Sequence, residues 1–183
     1  NTSVFYSKLK DAIDWKQVGW DYYASNVNEQ KRRGFDIGYR YNFDDKWSAF
    51  ANYTYVKVEN NSDGTYVRDL NIMPNQYKFG VSYTDKKWDV DLVGRGASGG
   101  SRAIAFNGYG YSAKYLDSSY LTLDLSINYK IKDNWKVYAK GYNLTNASYA
   151  ERAGASASAP EDVKNYNFPA AGRRFLIGTE FTF

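Results

Sequence analysis

The sequence closes on Arg173-Arg174-Phe175-Leu176-Ile177-Gly178-Thr179-Glu180-Phe181-Thr182-Phe183, and this stretch decides the fold. Phe175, Ile177, Thr179, Phe181 and Phe183 share one face of an extended chain; Leu176, Gly178, Glu180 and Thr182 share the other. A period of two with one mostly apolar face is the signature of a β-strand. Chain ends usually fray. A strand kept intact up to a terminal aromatic suits a sheet that must close on itself and leave no edge.

Working back from this strand, the same alternation recurs. Phe35, Ile37, Tyr39, Tyr41 and Phe43 oppose Asp36, Gly38, Arg40 and Asn42. Trp47, Ala49, Ala51, Tyr53 and Tyr55 oppose Ser48, Phe50, Asn52 and Thr54, with Phe50 breaking the polar face. Strands are likewise predicted over 76–83, 88–96, 120–131 and 135–144, and a further one over about 1–10, whose two faces are too alike to orient. With the closing strand this makes eight. Short charged turns (44–46, 84–87, 132–134) alternate with long polar connections ending near 30, 74, 118 and 172. Trp47, Trp88 and Trp135 each follow a short turn, and Tyr83 and Tyr129 end the strands that enter two of those turns. These residues, with Phe181 and Phe183, are expected at one height, as in a membrane-interface girdle.

Composition narrows the chemistry. The 183 residues hold 19 Tyr, 10 Phe and 5 Trp, yet mean hydropathy is −0.66. No run approaches the ~18 apolar residues of a transmembrane helix, but barrel strands average to a polar score. Without Cys or His there is no disulfide, no thiolate or imidazole metal site and no His-based triad; no cofactor, metal site or catalytic residue is expected. The net charge of +4 is spread in mixed sign, which gives no nucleic-acid footprint. The Asn-X-Ser/Thr matches at Asn60, Asn143 and Asn146 are read as chance matches. A soluble sandwich also alternates, but gives no reason for Trp beside each short turn or for long loops at one end only. No signal peptide precedes Asn1, so the chain is expected to be processed or a piece of a longer one.

Several short motifs resemble the TonB-dependent outer-membrane transporter (receptor) family. Gly141-Tyr142-Asn143-Leu144-Thr145-Asn146-Ala147-Ser148-Tyr149 resembles its penultimate-strand N-L-x-[DN]-x-x-Y pattern, and Pro169 to Arg173 its P-x-x-G-R approach to the last strand. Arg33 to Asp36 and Met73 to Gln76 resemble two strand openings. Gly178, Phe181 and Phe183 stand where the family's barrel-assembly signal has them, although Leu176 occupies a usually polar position. The resemblance implies an all-β, antiparallel transmembrane β-barrel. Residues 1–183 would form about eight C-terminal strands of a roughly 22-stranded barrel, with no plug domain in the chain. The alternative from the strand count is a complete eight-stranded barrel, serving in adhesion or anchoring. Implied partners are outer-membrane lipid, the remaining barrel strands and plug from the same or a separate chain, the TonB complex through that plug, the barrel-assembly machinery, and a metal chelate such as a ferric siderophore, haem or cobalamin. The expected location is the outer membrane of a diderm bacterium.

Ligand contacts are expected in the loops. Arg102, Tyr109, Tyr111 and Tyr115 combine a cation with aromatic faces, and Arg152 lies in the last loop; such a set suits an anionic, partly aromatic chelate. The bland reading is a set of solvated strand-top residues. Arg173 and Arg174 are expected either to pair with acids inside the barrel or to meet lipid head groups. On the inward face Asp36, Arg40, Lys78, Asp89, Asp91, Arg95, Asp124, Lys136, Lys140 and Glu180 would either pair across a narrow lumen or line a wide wet one.

Overall fold

The computed structural model describes residues 1–183 except 28, 63, 70–71, 107–110, 118, 153–167 and 183. For 12–18, 22, 25–27, 62, 101–106, 111–117, 150–152 and 168–169 it describes the backbone alone. Fifteen strands are present among the described residues, and no helix: β1 (Thr2–Leu9), β2 (Ala12–Val18), β3 (Asp21–Val27), β4 (Gln30–Asn42), β5 (Trp47–Ser62), β6 (Thr65–Arg68), β7 (Asn75–Thr84), β8 (Trp88–Ser98), β9 (Ser101–Phe106), β10 (Tyr111–Asp117), β11 (Tyr120–Lys132), β12 (Trp135–Tyr142), β13 (Ala150–Arg152), β14 (Phe168–Pro169) and β15 (Arg174–Phe181).

One sheet organises them, in the order β1-β4-β5-β7-β8-β11-β12-β15, with β6 paired to the upper end of β5. Its pairings are all antiparallel. These eight main strands are the eight predicted by alternation. The register keeps every apolar face on one side: Phe35 stands opposite Tyr55, Ala51 opposite Phe79, Val81 opposite Leu92, Leu92 opposite Leu125, and Ala139 opposite Ile177. A slip of one residue anywhere would turn a whole strand inside out. Val4 and Tyr6 join the apolar side through Val4 opposite Phe35, which orients the strand that alternation alone leaves undecided.

The sheet has no core in the ordinary sense. Among the described residues only Val58, Met73 and Ala97 are buried hydrophobics. Val4 is 83% exposed, Ile177 82% and Phe175 71%. A continuous apolar face left uncovered needs an apolar medium, and a β-sheet meets that need in lipid only as part of a closed wall.

The sheet is open. β1 pairs with β4 and β15 with β12, and the path does not return from β15 to β1. The closed eight-stranded barrel is therefore not the architecture. The two edges stand seven strand spacings apart, about 34 Å along the sheet, and each offers unpaired backbone groups to further strands.

The long connections differ from expectation. They are not irregular loops; three carry hairpins of their own, β2–β3, β9–β10 and β13–β14, and the fourth extends β5 into a hairpin with β6. Turn chemistry explains two of them. Val18 pairs with Asp21 around Gly19, whose φ is +66°, and Ser62 pairs with Thr65 around Gly64, at φ +85°. Two-residue hairpin loops need positive φ, which glycine adopts without steric cost.

Candidate functional site: the inner wall, its hairpins and its two rims

Several recesses are lined by residues of the polar face of the sheet. The charges on it are tied to neighbouring strands. The Asp36 carboxylate accepts from Ser3 Oγ at 3.0 Å and from Thr54 Oγ1 at 2.6 Å. Asp91 accepts from Ser82 Oγ at 2.5 Å, Asp124 from the Asn143 backbone N–H at 2.7 Å, and Lys136 meets Glu180 at 3.0 Å. The pairing is lateral, along the wall, which fits a wide interior rather than a narrow one bridged side to side. Phe50, the residue that breaks the polar pattern, lies between Arg40 at 5.7 Å and Lys78 at 6.0 Å. Lys78 stands directly opposite Arg95, and both line a recess of about 480 Å³ with Asn52, Met73 and Tyr120. Among the described residues no cluster of His, Cys, Asp or Glu has the make-up of a metal site.

Aromatic rings lie over glycines across this sheet. Phe50 is the cross-strand partner of Gly80, and a Cβ on Gly80 would stand 2.6 Å from Phe50 Cε1. Tyr138 covers Gly178 on the same face, and Phe79 covers Gly94 on the other. Gly178 thus has a packing reason to be glycine that is independent of any signal role.

The segment from Asn143 to Tyr149 forms a corner where β12 leaves the sheet. Asn143 has φ +50° and is 5% exposed. Its Nδ2 donates to the carbonyls of Ala147 at 2.9 Å and Ala171 at 3.2 Å; its Oδ1 accepts from the Ala147 N–H at 2.9 Å and Thr145 Oγ1 at 3.1 Å. One side chain therefore satisfies a buried turn in place of water. Tyr149 stacks on Tyr120 with ring centroids 3.9 Å apart and lies 3.4 Å from Arg95 Nη2 through its hydroxyl. Arg174 lies 5.1 Å from the Tyr142 ring and Arg173 donates its backbone N–H to Asn146 Oδ1.

The predicted loop contacts separate into two places. Arg102 is on β9 opposite Leu116, Tyr115 on β10 opposite Ala103, and Tyr111 opposite Phe106, so one hairpin carries all three backbones. Arg152 belongs to the β13–β14 hairpin, opposite Phe168. Tyr109 lies outside the described residues. A further cluster at this end escaped sequence reading: Glu29 meets Lys8 at 2.7 Å and accepts from the Tyr66 hydroxyl, while Lys31 lies 3.4 Å from the Tyr66 ring centroid. The Lys8 bond, then the Tyr66 bond, hold the Glu29 carboxyl below its ordinary value. The contact spans 37 positions in sequence, so no local pattern signals it.

Two of the three short turns share one device. Asp44 Oδ1 accepts from the backbone N–H groups of Lys46 and Trp47, both at 2.7 Å. Asp85 Oδ1 accepts from Lys87 at 2.8 Å and Trp88 at 2.7 Å, and its Oδ2 from the Tyr83 hydroxyl at 2.7 Å. These bonds, led by that from Trp88, lower the Asp85 carboxyl to about 2. Asp44 is also lowered, first by the Lys46 N–H, and Asp133 by its bond to Lys130. Asp44 and Asp85 thereby each set the start of the strand that opens with the Trp three residues on. The ring of that Trp then packs on its cross-strand partner: Trp47 on Tyr83 at 4.8 Å, Trp88 on Tyr129 at 4.5 Å, Trp135 on Phe181 at 6.4 Å. Phe183 lies outside the described residues. At the other end a second tier stacks Phe35, Tyr53, Tyr55 and Tyr77, with centroids 5.5 to 5.8 Å apart.

An open antiparallel arc, apolar outside, polar inside, with short turns at one rim and hairpins at the other, is a wall segment of a large β-barrel. Residues 1–144 match the family described as TonB dependent receptor-like, beta-barrel, and the chain belongs to that family. Family members are outer-membrane proteins of Gram-negative bacteria. Similar solved structures include the copper transporter OprC (22% identity, TM-score 0.72, covering 100% of this chain and 27% of that one). The pyoverdine outer membrane receptor FpvA from Pseudomonas aeruginosa PAO1 matches at 15% identity and TM-score 0.74, over 100% of this chain and 27% of that one. The FrpB iron transporter from Neisseria meningitidis matches at 16% and 0.70, over 100% and 28%. The chain thus spans about a quarter of the length of these structures. They are receptors and transporters, not enzymes. No curated protein sequence matches.

Proposed function

We propose that this chain is the C-terminal barrel wall of an energised outer-membrane importer for a scarce chelate, such as a ferric siderophore, haem or cobalamin. It supplies eight wall strands and four outward-facing hairpins. The observation that carries the reading is the continuous apolar face on one side of an open sheet whose other side is charged and recessed. The names of the similar structures, a copper transporter and a pyoverdine receptor among them, support a metal or chelate cargo.

In this reading Trp47, Trp88, Trp135, Tyr83, Tyr129, Phe181 and Phe183 form the girdle at the rim of short turns. The Phe35–Tyr77 tier forms the opposite girdle. Trp47 and Tyr55 are eight residues apart on β5, about 26 Å along a strand and about 20 Å across the bilayer once tilted. Gly178, Phe181 and Phe183 serve the barrel-assembly machinery. Arg102, Tyr109, Tyr111, Tyr115 and Arg152 are the candidate cargo contacts. The rest of the barrel, the plug and the TonB complex complete the transporter. Deleting β9–β10 from the intact receptor, with the chelate as sole iron or vitamin source, is expected to abolish growth. Unimpaired uptake would sink the reading. Binding that persists with no dependence on the inner-membrane energy supply would indicate adhesion instead.

A further inference from the structure

The polar face carries an apolar patch that alternation does not predict. Val58 and Ala97 share the parity of Thr54 and Arg95, on the polar side of β5 and β8. With Met73 they are the buried hydrophobics among the described residues. The connection from β6 to β7 is pinned to β5 at both ends: the Asp69 N–H donates to the Val58 carbonyl and the Val56 N–H to the Pro74 carbonyl, each at 2.9 Å. This brings Ile72 and Met73 to the polar side, where they line the recess of about 480 Å³ that holds Lys78 and Arg95. The recess lies at the hairpin end of the sheet, since Ala97 is the last residue but one of β8 and Tyr120 the first of β11.

The charge in this recess has one sign. Lys78 and Arg95 stand directly opposite each other, and like charges facing across an antiparallel pair repel. None of the residues lining the recess is Asp or Glu. The recess beside Arg40 and Phe50, in contrast, includes Asp91, and the groove between the β7–β8 and β11–β12 turns includes four acids. Among the described residues Lys78 forms no ion pair; its Nζ lies 6.0 Å from the Phe50 ring. Arg95 donates to the Tyr149 hydroxyl at 3.4 Å, and Tyr149 stacks on Tyr120, which walls the recess. Asn52 and Gln76 add amide groups.

The geometry points to a binding site, formed by Lys78 and Arg95 beside Ile72 and Met73, for a carboxylate carried on an apolar or aryl stem of the cargo. An anion between the two cations relieves their repulsion, and a guanidinium beside an ammonium matches the two oxygens of a carboxylate. The apolar lining takes the stem, in the way small-molecule pockets combine apolar walls with a few placed polar groups. The inference deepens the importer reading and rests on it: it selects acidic chelates over amide-rich, uncharged ones.

The test uses the intact receptor carrying this chain, in detergent at neutral pH, titrated with benzoate and with its uncharged isostere benzamide, and read by ligand-detected NMR. Heat-modifiable mobility verifies that each variant is folded. Wild type is expected to bind benzoate and not benzamide. K78Q is expected to weaken benzoate at least about tenfold, the effect of removing one charged hydrogen-bond donor. K136Q, a lysine of the same polar face near the opposite rim, is expected to bind like wild type. Equal binding of benzamide would overturn the carboxylate, and equal losses in K78Q and K136Q would overturn the place. No benzoate binding by the intact wild type would overturn the cargo as occupant, the result expected if an acid of the plug already sits between the two cations. Energy-dependent chelate uptake by a receptor that binds no benzoate would overturn this site and leave the importer reading standing.

Discussion

Asn143 shows how much one residue carries in a single-layered sheet. A side chain that bonds two carbonyls, a backbone N–H and a hydroxyl while its own φ is positive has few substitutes. Asn143→Ala is expected to cost about 2–3 kcal/mol, since it leaves buried groups unpaired and puts Ala at a strained φ. Asn143→Gly relieves only the second cost, so its urea midpoint in the intact barrel should lie between wild type and Ala; equality with Ala would remove the backbone from the account. Gly80 makes the converse point. Gly80→Ala forces a methyl against Phe50 and is expected to cost about 1–3 kcal/mol. Removing the ring as well, in Gly80→Ala/Phe50→Ala, should cost less than the sum of the single changes, by about 1 kcal/mol or more. Strict additivity would refute the clash.

At the scale of the element, the Asp-x-x-Trp turns are the repeated unit. Their stability depends on pH with a definite sign. The Asp85 carboxyl lies near 2 in the folded turn against an ordinary 3.8, so the charged form is favoured by folding. Its contribution is complete above the ordinary value and is lost as pH falls from there through about 2. Unfolding measured from pH 5 to pH 2 should therefore show a loss of stability that is shallower in Asp85→Asn. A parallel slope in the two proteins would contradict the role of this carboxylate. At the opposite rim, Glu29 ties β1 to the β5–β6 hairpin through Lys8 and Tyr66. Glu29→Gln should speed amide exchange in β6 while leaving β7 unchanged. Unaltered exchange in β6 would show that the hairpin stands on its own pairing.

For the whole molecule, the decisive property is the open arc. Two unpaired edges and an uncovered apolar face make the isolated sheet prone to edge pairing. Expressed alone in detergent, residues 1–183 are expected to show no heat-modifiable band and to associate. Co-expression with strands that pair β1 and β15 should restore a compact, heat-modifiable barrel. A compact monomer from the chain alone would contradict the open architecture.

The sequence by itself determined the eight main strands, which residues share a face, and the row of Trp beside the short turns. These are local consequences of a period of two and of turn chemistry, so Trp47, Trp88 and Trp135 were legible with no partner in view. It also exposed the corner motif at Asn143, although not why asparagine is needed there. The tertiary structure alone decided the orientation of β1, the stacking of the second aromatic tier, the Glu29 contact and the covering of Gly178 by Tyr138. Each of these joins residues far apart in the chain, and only register brings them together. Closure belongs to the same class. An even strand count suits either a small barrel or an arc of a large one, and what separates them is whether β15 meets β1, a pairing between the most distant strands of the sheet.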